Sequence, residues 1–445
     1  MPTDLREALR QIYTEALRAV DPEAAILRAV TRDGDQLTVV GRHYDLSSFR
    51  KVYAVGFGKA AAPMARALER ILGARLEAGL VVVKTGHTLP LERTLVLEAG
   101  HPEPDENGYA AALELIRFLA TSLSNEDLLF VLISGGGSAL VPAPLEGLSL
   151  AEKKAVTALL LKSGATIQEI NAIRKHLSRL KGGRLLGYVN GARVAALMLS
   201  DVVGDDMTSI ASGPTVPDPT TYADCLSIAG KYGLESQLPS SVLSLLKSGA
   251  AGVPGYPETL KPGDCAAEAV QNEIVASNYV ALEAAAKAAE SCGFGPLILS
   301  SSVQGDTAEV ARMHVALARE VYASGHPLPA PCCLISGGET TVKVTGSGRG
   351  GRNQEFALWC AGEIAGWSHD ALFASLGTDG SDGPTDAAGA VADPTTASRA
   401  CALGLSIPDF LARNDSYNFF LPLRDLIITG PTRTNVMDLR LVLLA

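Results

Sequence analysis

Aromatic side chains are scarce in this chain: Phe, Trp and Tyr make up 5% of its 445 residues. Binding of single-stranded nucleic acid needs such rings as stacking platforms, so that class is disfavoured. Positive charge is short as well. The formal net charge is −10, which argues against a surface that grips a phosphate backbone along its length. No uninterrupted apolar run is long enough to cross a bilayer. The opening MPTDLREALRQIYTEALRAV reads as an amphipathic helix with early acids rather than a secretion signal. The seven cysteines (225, 265, 292, 332, 333, 360 and 401) form no C-x-x-C pair. Their odd number, and the apolar runs around Cys332, Cys333 and Cys360, are expected of reduced, buried thiols in a cytoplasmic protein. No histidine has a second one three to five residues away, so zinc spacing is missing. A G-x-x-x-x-G-K-[ST] loop and a G-x-S-x-G elbow are also lacking, so there is neither a Walker loop nor a nucleophile elbow.

What is present is glycine, 44 residues of it, in a chain that is 47% hydrophobic. The length exceeds what one core usually fills, so two domains are expected. Strands are read at Lys51–Val55, Leu80–Val83, Leu95–Glu98, Leu128–Ile133 and Val194–Leu199. Helices at Pro63–Leu72, Asn107–Leu119, Ala151–Ser163 and Ile167–Leu180 alternate with them, after a first helix at Asp4–Val20. The strands are continuous apolar runs rather than alternating ones, which indicates an α/β fold with a parallel sheet covered on both faces. From Pro239 to Asp264 the pattern dissolves, and Gly249–Gly263 carries three prolines and four glycines. The expected division is therefore 1–248, a linker at 249–264, and 265–445. In the last part, strands at Glu273–Ala276, Pro296–Leu299 and Cys332–Ile335 alternate with helices Val280–Ser291 and Thr307–Ala323. Strands at Thr340–Val344, Phe373–Leu376, Leu426–Ile428 and Leu439–Leu444 are then joined by loops, so a mixed sheet is expected there.

The most informative stretch is ISGGETTVKVTGSGRGGRN, Ile335–Asn353. Glycine-rich turns carrying Arg349 and Arg352, followed by Asn353 and a helix read over Gln354–Ile364, gather backbone N–H groups and positive charge. Such a combination suits an anion, phosphate above all. A pair of tight turns with solvated arginines has the same composition. Near the start, Gly56-Phe57-Gly58-Lys59-Ala60-Ala61 matches G-x-G-x-x-A between strand and helix, the dinucleotide fingerprint. The fingerprint also asks for an acid about twenty residues on, where this chain has Lys84-Thr85-Gly86. NAD is thereby disfavoured, and an NADP phosphate beside Lys84 stays open. Lys59 stands at a helix start, where the helix dipole disfavours a cation, so a phosphate-binding role and a plain surface lysine are both open. Ser134-Gly135-Gly136-Gly137-Ser138 follows the strand Leu128–Ile133, at the strand end where open α/β sheets bind ligands. A sharp strand-to-helix turn would read the same way.

Carboxylates complete the set. Asp201, Asp205 and Asp206 follow the strand Val194–Leu199, and Asp379, Asp382 and Asp386 lie in GTDGSDGPTD. Asp205, Asp379 and Glu339 are candidate ligands for Mg²⁺, although the acids at 201–206 equally suit a turn that caps the next segment. Asn414 suits a polar wall of the site or, more commonly, a helix or turn cap. The tetrapeptide Ile133-Ser134-Gly135-Gly136 recurs as Ile335-Ser336-Gly337-Gly338, by shared descent or by reuse of turn residues. Phosphate-holding glycines, cations and carboxylates together describe phosphoryl transfer, which needs alignment and charge neutralisation more than covalent chemistry.

The chain resembles the class II glycerate kinases, whose C-terminal domain (MOFRL) is named for a Met-Asn-Phe-Arg-Leu-like motif. The resemblance rests on AVGFGKAA (54–61), ISGGGSALVPAP (133–144), INAIRKHLSRLKGGRL (170–185), LSDVVGDDMTSIASGPTVPD (199–218), ISGGETTVKVTGSGRGGRNQEFAL (335–358), GTDGSDGPTDAAGAVAD (377–393) and NDSYNFF (414–420). The naming motif is degenerate here, Val436-Met437-Asp438-Leu439-Arg440-Leu441. The resemblance implies ATP- and Mg²⁺-dependent phosphorylation of D-glycerate to 2-phosphoglycerate. It implies a Rossmann-like N-terminal domain, a C-terminal α/β domain and an active site in the cleft between them. It maps the catalytic lysine to Lys59 and the key arginine to Arg352. Some family members carry the name hydroxypyruvate reductase, which keeps an NAD(P)H-dependent reductase as the alternative. A homodimer is one assembly the sequence allows; a nucleic-acid or membrane partner is not expected.

Overall fold

A strand as apolar as Leu128–Ile133 is stable only inside a sheet covered on both faces. In the computed structural model, which describes residues 4–445 apart from the side chains of Cys265 and Glu268, all six of its residues are buried. The Cys265 thiol therefore lies outside the described groups; Cys225, Cys332, Cys333 and Cys360 are buried, and Cys401 is exposed. No helix among the described residues is long and apolar enough to cross a membrane.

The sheet that holds Leu128–Ile133 has six strands, in the order 94–99, 76–84, 52–57, 128–133, 193–199, 270–276. Its first five strands pair in parallel. The chain starts at Val52–Phe57, moves outward through two strands, then returns to lay Leu128–Ile133 on the other side. That reversal opens a crevice at the carboxyl ends of Val52–Phe57 and Leu128–Ile133, the position at which open α/β sheets take ligands. The strand read at Glu273–Ala276 is a correction. It runs over Val270–Ala276 and is the sixth strand of this first sheet, not part of the second. Gln271 anchors it: its amide accepts from Tyr44 Oη (2.6 Å) and donates to Val39 O (2.9 Å). Those partners belong to a small antiparallel sheet, Val30–Asp33, Gln36–Val39 and Arg42–Asp45, whose four-residue strands are too short to show in the sequence.

Two compact units result, and neither is contiguous. One joins Met1–Asp21, Asp201–Gly204 and Ala276–Ala445; the other joins Pro22–Ser200 and Asp205–Val275. The sequence suggested a single cut at 249–264 instead. That segment lies within the second of these units and follows a helix, Ser240–Ala250, inside the stretch where the sequence pattern dissolves. It is held by Leu260 N to Gly182 O (3.0 Å), by Asp218 N to Leu260 O (2.7 Å) and by Glu258 to His176 (2.9 Å). The first helix, Leu5–Ala19, buries Leu9 and Ile12 and packs on Asn278–Ser291. Arg6 at its start pairs with Asp393 (2.6 Å) and Asp425 (2.9 Å).

The second sheet is mixed, as expected: 295–303, 332–338, 438–444, 371–377, 389–392, 426–427. Its middle strand, Asp438–Leu444, is buried throughout and antiparallel to both neighbours. The strand expected at Thr340–Val344 is not formed. Only Thr341 makes an isolated bridge, to Asp306. Gly338, at φ 118°, lies so close to Val303 that a Cβ would collide with its backbone. There the chain turns out of the sheet, and Thr341 N donates to Gly305 O (2.9 Å) instead of to a ladder.

Helix Arg352–Glu363 packs under this sheet and is capped from a distant loop. Asp382 accepts from Asn353 N (3.1 Å) and Gln354 N (2.8 Å), taking the N–H groups that the sequence offered to a phosphate. Burial pushes the Asp382 carboxyl up to about 6, with the Asp438 charge adding to the rise and the amide donors opposing it. A folded pKa above the unfolded value near 3.9 means the folded state holds the extra proton between the two. Its contribution is complete below about pH 4 and is lost as pH rises through 6. Replacing Asp382 by Asn should therefore flatten the fall in stability between pH 4 and 6.5 by about 1–3 kcal/mol, read from urea unfolding at each pH. Parallel profiles for the two proteins would overturn this. Deleting Asp438–Ala445 removes the middle strand, and should abolish the cooperative melt of the unit that contains it. A wild-type-like melt would show that the flanking strands pair without it.

Candidate active site

The carboxyl end of Val52–Phe57 is built by close backbone approach. Gly56 lies within the strand, where a Cβ would meet Leu132 O at 2.8 Å and Val81 Cγ1 at 3.2 Å, so its task is packing. Gly58 has φ 134°, and a Cβ there would collide with the Ser134 hydroxyl. That hydroxyl accepts from Ala60 N (3.0 Å), while Lys59 N donates to Gly135 O (2.9 Å). Gly136 is left-handed at φ 83°, and a Cβ would meet the His101 ring at 2.9 Å. Gly137 is held against the Phe57 ring in the same way. The GFGK turn and the SGGGS turn are thus one interlocked structure at the switch point of the sheet. Lys59 is half-buried within it, just ahead of helix Ala61–Leu72, which has no side-chain cap. Burial first, then Lys59, Lys84 and His87, hold His101 down to about 4. His101 is neutral near pH 7, so the positive charge here belongs to the lysines.

Ser138 leads to groups that the sequence reading did not assign. Its Oγ lies 2.9 Å from Ser212 Oγ and accepts from Arg174 (2.6 Å). Lys181 Nζ donates to that same Oγ and to Ser138 O (2.7 Å). Lys153, from helix Leu150–Ser163, is near enough for its charge to act on Lys181 and to feel that of Arg174, and its ammonium is buried without a hydrogen-bond partner. Arg174 and Lys181 lie inside the stretch INAIRKHLSRLKGGRL. The signal available in that stretch was five Lys or Arg residues, a histidine and two glycines without one acid.

Asp205 follows the strand Arg193–Leu199 at φ 55°, and its Oδ1 is buried without a partner. Its neighbour Asp206 closes a local turn instead, accepting from Thr208 N (3.0 Å) and Ser209 Oγ (2.7 Å).

In the other unit three strand ends meet. Asp438 is in register with Gly338 on one side and Gly377 on the other, which brings Glu339, Asp379 and Asp438 to one edge of the sheet. Arg352 grips Asp438 with two nitrogens (2.7 and 3.0 Å) and Glu339 with a third (2.9 Å), and these carboxylates raise its pKa. Arg440, fully buried one pleat along, reaches the same Asp438 oxygen at 3.0 Å. Asn353 is buried and committed to Asp382, Asp438 and Ser375. Asp379 accepts from Ser381 N (3.0 Å) and, with Arg352, Asp382 and Asn435, lines a polar pocket of ≈ 130 Å³. Among the described residues no three His, Cys, Asp or Glu side chains gather as a metal cluster.

Arg349 lies in the glycine loop, and Asn414, between helices Ile407–Ala412 and Ser416–Leu423, packs on it. Asn414 accepts from Thr345 N (2.8 Å) and Gly346 N (2.9 Å), which shapes the loop rather than leaving the amide open. Arg349 is exposed, with its guanidinium 4.6 Å over the Tyr417 ring. The two ISGG tetrapeptides also differ in structure. The first strand stops at Ile133 and turns, whereas the second runs on through Gly338.

A family model described as Domain of unknown function (DUF4147) matches residues 8–247, and that of the MOFRL family matches residues 332–438. The glycerate 2-kinase of Pyrococcus horikoshii is 41% identical over 97% of this chain and 96% of its own length. The human glycerate kinase is 43% identical, over 99% of this chain and 93% of its own. The crystal structure of a glycerate kinase from Thermotoga maritima superposes with a TM-score of 0.88 at 38% identity, covering 99% of both chains. With these domains in this order, and identity at this level along its whole length, the chain belongs to the glycerate kinase family.

Proposed function

We propose that this protein transfers the γ-phosphoryl group of ATP to the C2 hydroxyl of D-glycerate, with Mg²⁺ on the nucleotide phosphates and 2-phosphoglycerate as product. The observation that carries the reading is Lys59, a half-buried lysine at the switch point of a parallel sheet and ahead of an uncapped helix. A cation there opposes the helix dipole unless an anion joins it. In the reaction Lys59 neutralises charge that builds on the transferred phosphoryl oxygens. Arg352, fixed by Asp438 and Glu339, presents its remaining N–H groups to the glycerate carboxylate or the phosphoryl group.

Mg²⁺ is held by one or two carboxylates together with substrate phosphates, so a ready-made cluster of three is not required. Asp379 at its polar pocket and Asp205 with its unpartnered oxygen fit that role. Glu339 keeps one oxygen beyond its pair with Arg352. When bound, the ion would neutralise phosphate charge. Against a nicotinamide reductase, the strand Leu76–Lys84 ends in lysine where a dinucleotide fold needs an acid for the ribose.

The test is ADP release from purified protein supplied with D-glycerate, ATP and Mg²⁺, alongside hydroxypyruvate with NADH or NADPH. ADP release that requires glycerate and stops with a chelator is expected. Nicotinamide oxidation without ADP release would overturn the proposal. Lys59→Ala should lower kcat by about 10²–10³ with an unchanged Tm; near-normal turnover in the folded variant would remove Lys59 from the mechanism. Arg352→Ala should also lose activity, but with a lowered Tm. It removes the bidentate partner of buried Asp438 while Arg440 and Asn353 stay in place, at a cost of about 1–3 kcal/mol. Lys59 is therefore the cleaner probe.

A further inference from the structure

We propose that Arg174 and Lys181, which converge on Ser138 beside Ser212, form with the neighbouring Lys153 a subsite that binds a phosphoryl group carried by a reactant. Two cationic side chains, Arg174 and Lys181, converge on one neutral hydroxyl oxygen, Ser138 Oγ. An anionic oxygen is the partner such donors ordinarily take. Lys181 and Lys153 are 1% and 7% exposed, and the Lys153 ammonium has no hydrogen-bond partner. No carboxylate among the described residues forms an ion pair with any of the three. The contrast with their neighbours is direct. Lys175, next to Arg174, is paired with Asp218 (3.4 Å), and His176 with Glu258 (2.9 Å).

Buried unpaired charge costs several kcal/mol and is ordinarily removed by pairing or by loss of the proton. Burial and mutual repulsion hold Lys153 down to about 7 and Lys181 well below its ordinary value. An arriving dianion would restore both protons and complete the pairing. Ser138 and Arg174 keep partial exposure and mark the open side. The turn that delivers Ser212 is itself held in costly conformations, with Ala211 at φ 47° and Ser212 at φ 64°. A doubly charged phosphoryl group suits three clustered cations better than a singly charged carboxylate does. The subsite is continuous with the lysine turn, since a Cβ on Gly136 would lie 3.5 Å from Lys59 Cγ. Its place in catalysis rests on the kinase reading above; its affinity for phosphate does not.

The experiment measures binding by calorimetry and thermal shift on the full chain, without turnover. The probes are inorganic phosphate, ATP, ADP, 2-phosphoglycerate and D-glycerate. The proteins are wild type, Lys153→Met and Arg174→Gln. Phosphate should raise the wild-type Tm, and each variant should bind it at least tenfold more weakly. Lys153→Met should also raise the Tm of the ligand-free protein, because it removes a buried amine nitrogen that has no hydrogen-bond partner. A purely structural lysine would give the opposite sign. Selective weakening of ATP and ADP assigns the subsite to the nucleotide, and selective weakening of 2-phosphoglycerate assigns it to the phosphorylated product. Unchanged affinity for every phosphate-bearing probe, or weakening of D-glycerate alone, would overturn the proposal. If phosphate binding is lost in the variants while wild type releases no ADP, the subsite stands and the kinase reading fails.

Discussion

A strand buried on both faces and paired on both edges can offer chemistry only at its ends. Both sheets are built around such strands, Val52–Phe57 with Leu128–Ile133 in one and Asp438–Leu444 in the other. Several of the groups at the two sites follow from that constraint. Lys59 and Ser134 stand just past strand ends in the first sheet; Glu339, Asp379 and Asp438 stand at strand ends in the second. Glycine is needed at these ends because the chain must turn while touching a neighbouring backbone, as at Gly58 against Ser134 and Gly338 against Val303.

The two units handle charge in opposite ways. Around Arg352 and Arg440 the fold supplies carboxylates in excess, with Asp438, Asp382 and Glu339 in one network. The excess is relieved in part by the raised pKa of Asp382. Around Ser138 the fold supplies cations and no acid. A chain with a net charge of −10 therefore keeps a local positive cluster that its composition conceals.

Much of this was legible in the sequence. Continuous apolar runs mark the buried strands because periodicity disappears when both faces are covered, and those of the first sheet were found to within a few residues. The lysine turn was legible because Gly58-Lys59 sits between a strand and a helix. Long-range pairing was not. Nothing in GTDGSDGPTD says that Asp382 reaches back about thirty residues to cap the helix after Gly351, and thereby occupies the expected anion site. Asp438 and Arg440 looked like a degenerate motif. Their meaning appears only when Asp438–Leu444 is placed between two antiparallel neighbours. Thr340–Val344 has strand-like residues, but the chain turns out of the sheet at Gly338 just before them, so local preference lost to tertiary context. The basic cluster was hidden because its members come from separate helices and turns.

The pairing of helix Leu5–Ala19 with Asn278–Ser291 has a consequence for how the protein is made. The ribosome delivers the first helix early and its partner about 260 residues later. At roughly 5–20 residues per second that is an interval of about 13–50 s. Throughout it, the apolar stripe of Leu9 and Ile12 has no native surface to cover it. A nascent chain in that state carries an exposed apolar stripe of which the finished fold leaves no trace.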